Sequence, residues 1–340
     1  MKPINVLSLF DGMSCGRQAL ERAGISVNLY LASEIDKYAI KITMKNYPDT
    51  VQLGDVRGVD TVGMPKIDLL LAGSPCQGFS FAGKQLAFDD PRSVLFFEFV
   101  RILKEFKEKN PKIKFLLENV KMKKVYQDII SEILGVEPIE INSALVSAQN
   151  RKRLYWTNIE GVEQPEDRGI LLKDIVLPDV LPIELDGLRG KNGCFGEGYA
   201  RVFTDKSTTL RTPSGGGNIP SFIKRESAGG VVDKVVYKHT YMSTTTTERF
   251  IKYGMNFVDR NTPKARCLCA EEYVKNGRQG NYVLVSTEPI KIRKFHPIEC
   301  ERLQTVKDNY TDGVSNTARY RMLGNGWTID VIARILRNIK

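Results

Sequence analysis

The chain has 340 residues, of which 42 % are apolar and 26 % charged, and its formal net charge is +10. That length suits one large domain, or a main domain with a smaller one, and no run of about 18 uncharged apolar residues is present, which excludes a membrane-spanning helix. The surplus of positive charge favours a polyanionic partner, nucleic acid above all. The N-terminal stretch MKPINVLSLFDGMSCG (1–16) enters patterned sequence at once, without the apolar region and small-residue cleavage site of a secretory signal. A cytoplasmic or nucleoid-associated protein is expected. The six cysteines, Cys15, Cys76, Cys194, Cys267, Cys269 and Cys300, are scattered, and His239 and His296 have no zinc-ligand spacing to them. No metal site is expected, and the thiols should be reduced.

The first 160 residues alternate short apolar runs with helical patterns. INVLSLF (4–10) reads as a strand, GMSCGRQALERAG (12–24) as a helix closed by Gly24, VNLYLASEI (27–35) as a strand, and KYAIKITMKNY (37–47) as a helix stopped by Pro48. IDLLLAGSP (67–75) is a buried strand, 93–110 a long amphipathic helix, IKFLLENV (113–120) a strand and VYQDIISEIL (125–134) a helix. Strands that are apolar throughout and separated by helices predict a mostly parallel, doubly wound α/β sheet covered on both faces. Beyond about 165, Gly, Thr, Ser and basic residues rise, as in RTPSGGGN (211–218) and STTTTER (243–249). Helical patterning returns in 295–306 and 328–340. The expected organisation is a catalytic domain over 1–164, a smaller loop-rich β domain over 165–290, and a return to the first domain over 291–340.

In a doubly wound sheet, ligands bind at the carboxyl ends of the strands. The first strand-to-helix turn is FDGMSCG (10–16), where Gly12 and Gly16 permit close backbone approach. No GxGxxG is present, which disfavours a dinucleotide. Glu34, at the end of the second strand, suits the two hydroxyls of a ribose, and Asp55 in GDV (54–56) suits an adenine amino group. A nucleoside without a phosphate cradle points to S-adenosylmethionine. The alternative is that these carboxylates are helix N-caps or solvated turn residues.

Cys76 lies in AGSPCQGFS (72–80), where the chain leaves the fourth strand on a glycine-rich loop, the position of a candidate nucleophile rather than of a core cysteine. The next strand ends in LLENV (116–120), so Glu118 should emerge beside it, and a carboxylate following a buried apolar run needs a partner or a task. QNRKR (149–153) contributes Gln149, Arg151 and Arg153, guanidinium groups able to hold a base oxygen or a phosphate in two-pronged fashion, or else a solvated basic run.

These motifs, together with RMLGNGW (321–327), resemble the cytosine-5 DNA methyltransferase family over nearly the whole chain, in order and in spacing. The resemblance implies S-adenosylmethionine as cofactor, held by Phe10, Asp11, Gly12, Ser14, Gly16, Glu34, Ile35, Asp55, Val56, Ser74, Pro75, Asn325 and Trp327. It implies Cys76, Glu118, Arg151 and Arg153 as catalytic groups, and a cytosine swung out of the duplex. Contacts to DNA are expected from Gln77, Ser80, Lys84, Gln149, Arg201, Lys206, Arg211, Lys264 and Arg266, most of them to phosphates. Two departures stand out. Gly16 occupies a position where many bacterial members carry an aromatic residue, and the last motif reads Gly324–Trp327 in place of Gly-Asn-Ser-Val. Both resemble the vertebrate de novo enzymes and phage-borne relatives, and they leave Phe10 or Trp327 to stack on adenine. Double-stranded DNA is the expected partner, a cognate restriction endonuclease a further one, and transfer RNA the alternative substrate.

Overall fold

The computed structural model describes residues 2–74, 94–177, 257–258, 264–266, 282–287 and 290–339. Pro75, Cys76, Gln77, Ser80, Lys84, Arg201, Lys206 and Arg211 lie outside the described residues, as does the side chain of Arg266. Seven strands form the main sheet: β1 (Ile4–Leu9), β2 (Val27–Ser33), β3 (Val51–Gln52), β4 (Leu69–Gly73), β5 (Lys114–Val120), β6 (Ile139–Asn142) and β8 (Lys152–Thr157). Their order across the sheet is β3-β2-β1-β4-β5-β8-β6. The strands from β3 to β5 run parallel, while β8 runs antiparallel to both β5 and β6. This is the mostly parallel sheet that the apolar strands predict.

Alternation along each strand sends side chains to two separate cores. Val6, Leu69, Leu71, Leu116 and Tyr155 face one side, and Leu7, Leu70, Ala72, Leu117 and Trp156 face the other. The first face is covered by α1 (Cys15–Ala23), α2 (Lys37–Asn46) and the C-terminal helix α8 (Ile329–Leu336), through Ala19, Leu20, Ile42, Ile332 and Leu336. The second is covered by α3 (Val94–Lys109) and α4 (Lys124–Leu134), through Phe99, Leu103, Phe106, Ile130 and Leu134. Each such side chain taken out of water contributes about 1.5–3 kcal/mol, so the three-layer arrangement follows from burying both faces of one sheet.

After β8 the chain stays on the first core. Leu172 and Ile175 of the short helix α5 (Leu172–Ile175) are buried there beside α6 (Pro297–Leu303), and the Leu177 N–H donates to Glu299 at 2.8 Å. A small sheet pairs β12 (Ile290–Lys294) antiparallel with β11 (Tyr282–Thr287), which runs parallel to β9 (Phe257–Val258). A two-residue bridge joins β7 (Gln149–Asn150) to β10 (Ala265–Arg266).

The helix predicted over 295–306 begins with Pro297 at its first turn, where the missing N–H costs nothing, and stops at Leu303 because Thr305 adopts a left-handed φ of 53°. The helix predicted over 12–24 starts three residues later, at Cys15, since Ser14 sits at φ 58°. One helix, α7 (Asn316–Asn325), carries the last motif.

Candidate active site

The chain leaves β1 in opposite directions across the sheet, first to β2 and β3, later to β4 and β5. The gap between β1 and β4 is therefore a topological switch point, where α/β sheets bind ligands. Register aligns Leu9 with Ser33 and Ala72, and Gly73 with Glu118. The turn 10–14, Glu34, Ser74 and Glu118 thus gather along one edge.

The first turn is held in an uncommon conformation. Phe10, Gly12 and Ser14 all have left-handed φ, at 56°, 59° and 58°. Glycine tolerates this and the other two residues do not, so surrounding contacts must hold them there. Those contacts are visible. The Glu34 carboxylate accepts from the backbone N–H of Gly12 at 2.7 Å, and from those of Ile35 and Asp36 at 2.8 Å each. The Asp11 carboxylate accepts from the Tyr30 hydroxyl at 2.8 Å and from Ser14 Oγ. Ile35 follows Glu34 with 74 % of its surface exposed, an apolar side chain left in solvent at the ligand edge. Asp55 accepts from the N–H and the guanidinium of Arg57, which hold its carboxyl down to about 2. Val56 is buried, so it can offer a ligand only its backbone. Asn325 is exposed on the neighbouring turn.

Burial pushes the Asp11 carboxyl up from 3.8 to about 6, against the hydroxyls of Ser14, Ser8 and Tyr30 that favour its charge. The folded protein therefore holds this proton more tightly than the unfolded chain does. Its share of stability is greatest below pH of about 4 and falls as pH rises to about 6, by on the order of 3 kcal/mol. Asp11→Asn keeps the shape without the charge. Its thermal midpoint should exceed wild type at pH 7 and match it near pH 4. A constant difference across that range would refute this account of Asp11.

The chemical end is built on both faces of the sheet. On one face Glu118 is buried, its Oε1 paired with Arg153 Nε at 3.0 Å and its Oε2 accepting from Trp327 Nε1 at 3.1 Å. Arg153 reaches it because Tyr155 stands opposite Glu118 in the ladder, and Arg153 lies two residues along β8 on the same face. On the other face the Asn119 amide donates to Ser74 Oγ at 3.1 Å, with both residues buried. Ser74 is the last described residue before the segment that holds Cys76.

Arg151, also buried, donates to the carbonyls of Gly324 at 3.2 Å and Gly326 at 2.9 Å. Gln304 adds bonds to the carbonyls of Leu323 and Gly326 at 2.6 and 3.2 Å. The turn that presents Trp327 is thereby fixed from two sides. Burial pushes the nearby Cys15 thiol up to about 12.

The Gly16 departure now has a physical reason, and Gly73 is constrained in the same way. A Cβ on Gly73 would stand 2.8 Å from Trp327 Nε1 and 3.2 Å from Cε2, and one on Gly16 would stand 2.6 Å from Leu71 Cδ1, 3.0 Å from the Tyr30 hydroxyl and 3.5 Å from Trp327 Cζ3. At 16 the close approaches are to Leu71 and the Tyr30 hydroxyl, with the indole edge at ordinary contact distance, so a larger residue there must displace Leu71 or Tyr30. Gly73→Ala should cost about 1–3 kcal/mol by overpacking, and should change Trp327 fluorescence. A variant with the wild-type thermal midpoint and emission would contradict this packing.

The structure turns other expected residues inward. Gln149 is wholly buried, and its amide donates to the Leu303 carbonyl at 2.8 Å and to Gln304 Oε1 at 3.0 Å. Lys264 Nζ donates to the carbonyls of Ala144 and Ser147. Both brace the domain, and neither presents its polar group on an open surface. Asn119, Gln304 and Tyr30 support the site without having been singled out in the sequence. Only Asn119 carried a signal, as an amide inside a strand of apolar residues. Among the described residues there is no group of three or more potential metal ligands and no helix long and apolar enough to cross a membrane.

Comparison with known proteins adds the family. The C-5 cytosine-specific DNA methylase family matches the chain over residues 4–135 and 141–340. The chain is 30 % identical over 341 residues to the type II methyltransferase M1.ScrFI of Lactococcus lactis subsp. cremoris, a match spanning 97 % of this chain and 76 % of that protein. It is 26 % identical over 356 residues to the type II methyltransferase M.HhaI of Haemophilus parahaemolyticus, spanning 99 % and 94 %. Among solved structures it superposes on the Entamoeba histolytica methyltransferase EhMeth with a TM-score of 0.67 at 17 % identity, covering 99 % of this chain and 98 % of that one. That last likeness speaks to the fold.

Proposed function

The chain belongs to the C-5 cytosine-specific DNA methylase family and is a cytosine-5 methyltransferase that uses S-adenosylmethionine; from that premise we propose that it methylates cytosines flipped out of duplex DNA, with Cys76 as the attacking nucleophile. The observation that carries this reading is the buried Glu118 carboxylate on β5, one strand from the switch point. Arg153 and Trp327 hold it at the end of the strand beside Ser74. Cys76 follows Ser74 by two residues, and covalent geometry keeps their Cα atoms within about 7.6 Å of each other.

The residues that follow β2 and β3, beside the first turn, fit a nucleoside cofactor. Exposed Ile35 offers an apolar surface for a base, and the Glu34 and Asp55 carboxylates accept from hydroxyl and amino groups. When bound, the cofactor supplies an electrophilic methyl group on a sulfonium. The chain's own residues do the rest. The Cys76 thiolate adds to C6 of the cytosine, forming a carbon–sulfur bond and placing electron density on C5. Glu118, aimed at the N3 edge, meets the proton and charge that develop there. Arg153 keeps the Glu118 carboxylate turned toward the base. Once C5 carries the methyl group, its proton leaves to a base, the C6–sulfur bond breaks and the thiolate is released.

C5 and C6 are hidden in a stacked duplex, so the base must leave the helix to react. The net charge of +10 suits a duplex, which must be held by its phosphates while the base is out. The basic residues of 165–290, Arg201, Lys206, Arg211 and Arg266 among them, are assigned to this duplex contact. The relatives named type II methyltransferases suggest a restriction–modification setting with a cognate endonuclease.

The test is transfer of labelled methyl groups to mixed-sequence duplex DNA and, in parallel, to transfer RNA, with base-resolution mapping of 5-methylcytosine. A defined set of modified DNA sites is expected. Methylation confined to the RNA would overturn the duplex reading.

A further inference from the structure

Trp327 is only 8 % exposed. A ring so covered has little area to offer a nucleoside base. What it does offer is its N–H. The indole lies where a Cβ on Gly73 would meet its five-membered ring and a Cβ on Gly16 would approach its far edge. The two glycines leave a slot that a ring fills. Its Nε1 donates to Glu118 Oε2 at 3.1 Å, while Arg153 Nε holds Oε1 at 3.0 Å. Indole and guanidinium N–H groups donate and never accept, so both carboxylate oxygens are fixed as acceptors by donors from two different elements. Behind the ring, Arg151 holds the Gly324 and Gly326 carbonyls and Gln304 holds that of Gly326. A side chain on the last turn of the chain is thus built, from both sides, into the setting of a carboxylate on β5.

We propose that Trp327 is a positioning residue for methyl transfer, acting through its indole N–H on the orientation of Glu118 rather than by stacking on the cofactor. The inference rests on the reading of Glu118 as the group that meets the base. It predicts a division of labour at the carboxylate. Arg153 sets one oxygen from the strand beside it, and Trp327 sets the other from the C-terminal turn.

The chain holds two tryptophans, so a ¹⁵N-labelled sample gives two indole N–H resonances. Trp156 donates to Ser131 Oγ in the second core, on the opposite face of the sheet from Glu118. In the ligand-free protein, Glu118→Gln should move the Trp327 resonance and leave the Trp156 resonance in place. Trp327→Phe keeps a ring in the slot and deletes the donor. Losing a hydrogen bond to a charged group should lower kcat about 10- to 100-fold, with KM for DNA and calorimetric affinity for S-adenosylmethionine within about twofold of wild type. In the Glu118→Gln background the same change should cost less than about threefold, since its target is gone.

The proposal is overturned if Glu118→Gln leaves both indole resonances unmoved, or if Trp327→Phe turns over within about twofold of wild type. It is also overturned if Trp327→Phe loses cofactor affinity while keeping full turnover at saturation, which would make the ring a stacking surface. Should Trp327→Phe fail to fold, the spectra of wild type and Glu118→Gln decide. Wild-type protein inactive on DNA would strike at the substrate reading instead, and leaves the spectral result standing by itself.

Discussion

Cys76→Ser is expected to abolish methyl transfer while duplex binding stays near wild type. In the mechanism proposed above, the nucleophile adds to C6 and then leaves. A thiol gives its anion near neutral pH. A serine hydroxyl does so only with an adjacent base arranged to take its proton. The nearby carboxylate, Glu118, is held by Arg153 and Trp327 and is assigned to the N3 edge of the base, so it is not arranged to take a proton from a serine at 76. A fall of roughly 10³-fold or more in turnover is therefore expected, in the range seen when an enzyme loses its nucleophile. Binding should persist because the thiolate acts on the base only in the chemical step and contributes little to holding phosphates. Initial rates and fluorescence anisotropy on one labelled duplex measure the two separately. A serine variant with near-normal turnover would remove Cys76 from the mechanism.

The largest expected loss of stability comes from Glu301→Ala. Glu301 lies on α6 and is wholly buried. One of its oxygens accepts from the Thr311 N–H at 2.9 Å and pairs with Arg319 at 3.0 Å, and the other accepts from the Asn309 N–H at 2.7 Å. Removing the carboxylate strands a buried guanidinium and two backbone donors. Breaking a buried pair in this way costs about 3–5 kcal/mol, a large part of the roughly 5–15 kcal/mol that holds a typical domain folded. The thermal midpoint should drop by roughly 10 °C. Glu301→Ala with Arg319→Met should recover part of the loss, because the second change removes the stranded charge. A single variant as stable as wild type would mean that water or another group replaces the carboxylate. The site should feel this loss, since Arg319 is on α7, the helix that ends at the Gly324–Trp327 turn.

The parallel half of the sheet was legible in the sequence because its central strands are buried on both faces and read as unbroken apolar runs. Glu118 was legible for the same reason, as a carboxylate placed where such a strand allows none without a partner. The strand β8 was harder to read. Its sequence KRLYWT opens on two polar residues and pairs antiparallel, so neither its sheet neighbours nor its direction follows from pattern. Helix α7 was missed because it buries Arg319 beside Met322 and Leu323, and no amphipathic stripe marks it. Gly16 was visible as a departure from the family's usual aromatic. Its cause was not, because the cause is the approach of Leu71 and Tyr30, side chains of two other strands. Gln149 failed in the opposite sense. In QNRKR it looks like part of a basic surface, but contacts with Leu303 and Gln304 turn it into the core. Such long-range contacts leave no trace in local sequence.

The measurement that bears most directly on the central claim is trapping on duplex DNA in which every cytosine is 5-fluorocytosine. Fluorine at C5 cannot leave as a proton does, so a reaction that passes through a bond to C6 stops with protein and DNA joined. With S-adenosylmethionine present, a denaturation-resistant complex should form, and peptide mapping should place the modified residue at Cys76. Methylation of ordinary duplex DNA with no complex on the fluorinated one, or a complex mapped to another of the six cysteines, would contradict the mechanism.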